Sequence, residues 1–558
     1  MASKATQASL GIAWNATPAR ITMAQYIPLL NENSTSDDVG DHTDDPELSD
    51  LDLEKVPEPA ILPKWYHIPG WRASSSRWKP TLRWNRWSKE DMPDAKTAAS
   101  LAFAYFVAAL PRFLQPGGLK IKRELHPTAY LDALRGWAAL LVFRFHMYYN
   151  RTWLFNQFVF SGFLNGRAMV EVFFIISGYV LSYRLLTMIR NQQPGLLRAL
   201  ASSTFRRWFR LFIPTGIGSL IVAILSHFRW CRWDLTLDSF PAQMWDWFRD
   251  FLSASNPFAD IKGWWYMEVF RTKYLDPMWT IPVEFRGSIV LFSFCAVAAY
   301  LSTRGRRICC AVLILLCYYW GTIYAALFLI GVLIADLQFD RHPERLRSKR
   351  QLPQQEMHQH QQQRQETTNN EAPQSSSSSP TSQTSSPGKR KDSVIRKISC
   401  TLLVIAALFL FGQPKDGWSY QGPFPYDYLS LAIPTWYPVD LGEYFWLSIG
   451  ATLLVFGLDN CRMLQIPFEW SFSQYLGDIS FGVYVMHDIV NWTFYEQVVE
   501  PFRVAHFGEG YWSGLPGMLV TTFVVLWCAD WFSRIDDRVI WFGKWLESKA
   551  FIQWEEVS

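Results

Sequence analysis

YLDALRGWAALLVFRFHMYYN, residues 130–150, reads as a membrane-spanning helix, yet it contains Arg135, Arg144 and His146. Eleven residues at about 100° each make three helical turns plus roughly 20°. Arg135 and His146 therefore share one helix face, about 16 Å apart along the axis at about 1.5 Å per residue. An ionisable side chain inside a bilayer is costly, so each one is a functional-site hypothesis. A cation near one end and an imidazole deeper in describe a site entered from one side that acts on something within the membrane. The pattern points to a membrane enzyme.

Composition supports a membrane protein. Of 558 residues, 49% are hydrophobic and 16% aromatic, with 28 Trp and 40 Phe. Trp and Tyr collect where helices meet lipid headgroups. The net charge of +4 is too small to argue for a nucleic-acid partner, and none is expected. Cys295, Cys309, Cys310, Cys317, Cys400 and Cys528 lie in or beside apolar runs, without the spacing of a metal or disulfide framework. No metal ion or resident cofactor is expected. No signal peptide is expected either, since the first apolar run begins near Ala98.

Outward from residue 130, the chain divides by composition. Residues 1–95 predict a disordered cytoplasmic tail, acidic first, then aromatic and basic, and 96–125 an interfacial segment broken by Pro111 and Arg112. The fold class expected is all-α and polytopic, with about ten transmembrane helices, at roughly 130–150, 168–188, 208–228, 282–301, 306–320, 322–338, 397–413, 443–459, 472–494 and 514–534. The fifth and sixth abut at Gly321 and read as a tight hairpin or one broken helix. The catalytic core thus has two parts, 126–338 and 397–536. Between them, 339–396 is Gln- and Ser-rich and predicts a flexible cytoplasmic linker, in which His358 and His360 are not read as metal ligands. Residues 537–558 are expected to form a cytoplasmic tail. Lys and Arg crowd the start of span one, the link between spans two and three, Arg304–Arg307 and the linker. Alternating ten spans puts these on one face, which predicts cytoplasmic termini. The opposite face receives the Trp-rich loop 229–281, long enough to cap a site.

Polar residues within the spans sort into two layers. The cytoplasmic one holds Arg135 with Arg206, Arg207 and Arg210, and Arg184, Arg190 and Arg198 extend it. Guanidinium forks suit phosphates, so a polyanion such as acyl-CoA fits there. The deeper layer is expected to hold His146, His487, Glu171 and Glu284. An imidazole can take a proton from a hydroxyl while a carboxylate orients it. Plain structural readings stand beside each: Arg135 as a snorkelling anchor, His146 as an interhelical hydrogen-bonding group, Glu284 as a helix-start charge, and Glu171 and His487 as membrane-edge residues.

At these residues the chain resembles the membrane acyltransferase 3 family. The likeness rests on R-x10-H (Arg135 to His146), VEVFFIISGYVL, the RRxxRLxxP block from Arg206 to Pro214, MWTIPVE ending at Glu284, and YLGDISFGVYVMH ending at His487. Together they span roughly 125–535 in family order. WTIPVEF and the long linker look most like fungal-type members. The resemblance implies an O-acyltransferase, often O-acetyl, that uses acyl-CoA as co-substrate. It also implies that Arg135 and His146 are essential, with Glu284 and His487 in support. Phe285 stands where the family usually has a second acid, and Arg144 has no counterpart in the pattern. A transporter or lipid flippase is the alternative, using the same charges as a relay without chemistry. A membrane-bound O-acyltransferase of the other polytopic class is a third reading. The acceptor expected is a hydroxyl on a sugar, a sterol or terpenoid, or a secondary metabolite. An endomembrane such as the endoplasmic reticulum, or the plasma membrane, would house the protein.

Overall fold

The structure is a computed structural model that describes residues 107, 109–115, 118–119, 125–148, 162–256, 272–346, 393–413, 425–438, 442–508 and 511–551. All of these belong to the unit Arg72–Ser558. The expected N-terminal tail 1–95 and most of the linker 339–396 lie outside the described residues, as do Trp264 and Trp265 of the cap.

Among the described residues, every regular element is helical. The principal helices are α1 (Ala129–Tyr148), α2 (Gly166–Arg190), α3 (Leu196–His227), α4 (Phe240–Ala254), α5 (Thr280–Ala298) and α6 (Thr303–Tyr319). They continue with α7 (Ile323–Arg341), α8 (Val394–Phe411), α9 (Gly442–Asn460), α10 (Ser471–Val490) and α11 (Gly514–Ala550). Local chemistry sets several starts. Asn165, Ser239, Ser302 and Ser393 cap α2, α4, α6 and α8 by accepting from first-turn backbone N–H groups. Gly321, at φ 71°, turns the chain between α6 and α7, so this pair is a hairpin rather than one broken helix.

All ten expected spans are helical where they are described, but among the described residues six helices are long and apolar enough to cross a bilayer: α2, α3, α5 with its preceding turn, α7, α8 and α11. The bent pair Tyr444–Asn460 and Arg462–Glu469, angled at 105°, raises the count to seven. The other three are the charged helices. Asp132, Arg135 and Arg144 interrupt α1, while α6 has 17 residues and includes Arg304, Arg306 and Arg307. Asp478, His487 and Asp488 interrupt α10. Of these polar groups Arg306, His487 and Asp488 are buried among protein neighbours, whereas Asp132 is half-exposed and Arg304 and Asp478 are exposed. Two helices also run beyond their expected limits. α3 begins at Leu196 and α11 continues to Ala550.

α10 lies at the centre of the site-bearing half, packed on α1, α11 and α3. Its register against α1 is set by two glycines. A Cβ on Gly136 would fall 2.3 Å from the Leu476 carbonyl carbon, and one on Gly477 would fall 2.7 Å from the Asp132 backbone. Only glycine allows so close a backbone approach. The two helices run in the same direction, since Arg135 meets Ser480 and His146 meets His487 further along both. In the other half, α2 and α7 make a similar crossing at Gly178 and Gly331. Arg190, Arg306 and Arg307 converge on Asp336 at 2.8–2.9 Å, which gathers the end of α2, the start of α6 and the end of α7 at one end of the bundle.

Candidate functional site

Two polar stations lie along the α1 face. At the first, the Arg135 Nε donates to the Ser480 hydroxyl on α10 at 2.9 Å, and its Nη2 pairs with Asp132 at 3.3 Å. Arg207 and Arg210 of α3 stand close enough for their charges to be felt by Arg135 and by each other. Arg207 is buried and doubly held: it donates to the Glu284 carboxylate and, through Nε, to the Ser288 hydroxyl at 2.9 Å. Glu284 also accepts from Ser177 on α2 at 2.6 Å. Arg210 is exposed, and among the described residues no side chain hydrogen-bonds to it; the charges of Asp536 of α11 and of Glu284 act on it. The station thus combines three guanidinium groups with one tightly bound carboxylate. Its open member can receive an anion.

The second station lies further along the same helices. The rings of His146 and His487 are 5.2 Å apart between centroids. His487 is 1% and Asp488 4% exposed, while His146 is open. The Nδ1 of His487 faces the carbonyl oxygens of Tyr484 (2.7 Å) and Val483 (3.2 Å). Carbonyls only accept, so Nδ1 bears the hydrogen and Nε2 is left facing the Asp488 carboxylate at 3.5 Å. Tyr484 also fixes the start of α5: its hydroxyl donates to the Pro277 carbonyl and accepts from Thr280, both at 2.5 Å. In this way the MWTIPVE and YLGDISFGVYVMH segments are tied together. An accessible imidazole beside a buried one can accept a proton from a hydroxyl brought to it.

The structure places the sequence-predicted residues in a different grouping from the expected layers. Arg135, Arg207 and Arg210 share a station, whereas Arg206 is turned aside to Glu547 of α11 at 2.9 Å. His146 and His487 meet. Glu284 lies with the arginines rather than with the imidazoles. Glu171, 1% exposed, faces Tyr318 and Tyr437. The acidic groups that face His146 are instead Asp488 and Asp276. Arg190, expected to extend the cationic field, is engaged by Asp336 and Asp340, and Arg144 donates to the Leu164 carbonyl at 2.9 Å. Sequence reasoning passed over Ser177, Ser288 and Ser480, whose hydroxyls hold these charges in place. Ser480 carried a signal: it precedes His487 by seven residues, about two helical turns, and so shares its face.

A family model described as an acyltransferase domain matches residues 128–534. The chain is similar to O-acetyltransferase PaAT-1 of Phomopsis amygdali, with 28% identity over 400 residues that cover 66% of this chain and 72% of that protein. It is also similar to Acyltransferase R4 of Phoma sp. (strain ATCC 20986 / MF5453), with 21% identity over 425 residues, 66% of this chain and 83% of the other. No solved structure matches.

Proposed function

The chain belongs to the acyltransferase 3 family, and from that premise we propose that it moves an acetyl group from acetyl-CoA to a hydroxyl of a small molecule or glycan. That it is a membrane O-acyltransferase, with an acyl donor and a hydroxyl acceptor, follows from the family and from the relatives' names. The acetyl group is suggested by the name of the first relative alone. The transporter reading finds no support in either comparison.

One observation carries the mechanism: α1 joins the two stations, with Arg135 among the arginines and His146 against His487. In the proposed reaction, Arg210 and Arg135 bind donor phosphates at the cytoplasmic end. The pantetheine arm then extends along α1 and brings the thioester to His146. His146 takes the proton of the acceptor hydroxyl as the oxygen attacks the acyl carbon, and coenzyme A leaves as the thiolate. His487 orients His146, and Glu284 holds Arg207. On this reading both termini are cytoplasmic, the acceptor arrives from the opposite side or from the bilayer, and the protein resides in an endomembrane or the plasma membrane.

The test is transfer of radiolabelled acetyl from acetyl-CoA by the purified full-length protein. His146→Ala is expected to lower turnover by about 10²- to 10⁴-fold with donor binding retained, the range for a lost general base. Undiminished turnover in that variant would refute the mechanism.

A further inference from the structure

We infer that His146, His487 and Asp488 form a binding site for a divalent transition-metal ion of the zinc type, and that its occupancy blocks transfer. The inhibitory part rests on the reading of His146 as the base; the binding part does not.

The argument begins with one distance. His487 Nε2 and Asp488 Oδ1 are 3.5 Å apart. A charge-assisted N–H···O bond is about 2.7–2.9 Å, so this pair is too far apart to be one. Two ligand atoms at about 2.0–2.1 Å from a tetrahedral zinc ion are about 3.4 Å from each other. The separation therefore matches the edge of a coordination tetrahedron. His487 Nε2 is buried and makes no hydrogen bond. With Nδ1–H committed to the Tyr484 carbonyl, Nε2 is the ring atom left to face the Asp488 carboxylate, and it does so without a hydrogen bond between them. A backbone carbonyl on the opposite ring nitrogen is also the usual support that orients a metal-binding histidine.

The third ligand comes from α1. One ligand atom from each of His146, His487 and Asp488 lies within 4.8 Å of the others. His487 and Asp488 are fixed in the packed interior, whereas His146 is exposed. Two imidazoles and a carboxylate favour zinc-like ions over magnesium or calcium. The open fourth position, on the His146 side, is the route of entry. His146 gives the ion the lone pair that would otherwise take the acceptor's proton, so metal and acceptor chemistry exclude each other. Sequence alone offers no such site, since 341 positions separate His146 from His487.

The experiment uses full-length protein in detergent, stripped with a chelator and titrated with Co²⁺. One equivalent is expected to bind with the visible absorption of tetrahedral cobalt and to be displaced by Zn²⁺. Zn²⁺ is expected to suppress acetyl transfer, and chelator to restore it. Asp488→Asn should weaken Co²⁺ binding by at least about tenfold, read from the cobalt titration alone. Asp488→Glu, which keeps the carboxylate, should bind Co²⁺ and serves if the Asn variant fails to fold. Lack of a tetrahedral cobalt spectrum, unaltered binding in Asp488→Asn, or transfer that chelator abolishes would each overturn the inference. Absence of transfer both before and after stripping would instead count against the functional reading, and the cobalt spectrum would still decide the binding.

Discussion

Arg207 and Arg210 stand three residues apart on α3, one enclosed by Glu284 and Ser288, the other open. They should therefore fail differently when removed. Breaking a buried ion pair by deleting one partner costs about 3–5 kcal/mol, so Arg207→Ala is expected to lower the unfolding temperature markedly. Arg210→Ala removes only a group available to ligand. A hydrogen bond to a charged group is worth about 1.5–3 kcal/mol, so this variant should raise the donor KM by roughly tenfold or more with an unchanged melting curve. Thermal unfolding and donor kinetics on both variants separate the two roles. Sequence could not distinguish these arginines, because both satisfy the same block and the same topology rule. The difference arises from Glu284, brought across from α5.

At the scale of elements, the catalytic register depends on how closely α1 approaches α10. The Gly136–Gly477 crossing fixes that approach, and the Arg135–Ser480 and His146–His487 meetings follow from it. Gly136→Ala places a methyl inside the Leu476 backbone, so the helices must separate or slide. Overpacking of this kind costs about 1–3 kcal/mol. Turnover is expected to fall further than stability does, since imidazole contact is more sensitive to distance than helix burial is. Comparing kcat with the unfolding temperature for Gly136→Ala checks this, and a loss of stability without loss of turnover would contradict it. That Arg135 and His146 share one face of α1 was legible in the sequence. Its partner was not, because nothing local tells a helix which other helix its polar face will meet.

At the scale of the whole molecule, Asp336 ties α2, α6 and α7 together through Arg190, Arg306 and Arg307. Asp336→Asn leaves the buried Arg306 without its counter-charge, while Arg190 and Arg307 retain Asp340. It should cost about 3–5 kcal/mol and lower the unfolding temperature, while the folded fraction keeps its transfer activity. By contrast, deletion of residues 354–386, the Gln- and Ser-rich stretch, is expected to leave both activity and melting unchanged. Shortening a long connection changes closure entropy only slightly. Activity assays on the truncated protein would check that expectation. The helical, multi-pass character was readable because apolar runs of the right length are local facts. The count of ten was not secure, because α1, α6 and α10 carry charges that only their neighbours accommodate.

The sequence by itself determined that the ten expected spans are helical and which ionisable residues they carry, but not α4, which lies within the expected loop 229–281, nor the extension of α11 to Ala550. It did so because backbone hydrogen bonding within a bilayer leaves few alternatives to a helix. Only the tertiary structure decided which charges meet. Glu284 joined the arginines, Glu171 faced two tyrosines, Asp488 came beside the imidazoles, and Arg206 was taken up by Glu547. Charge pairing acts over a few ångströms through space, and helices far apart in the chain become neighbours only when the bundle has packed.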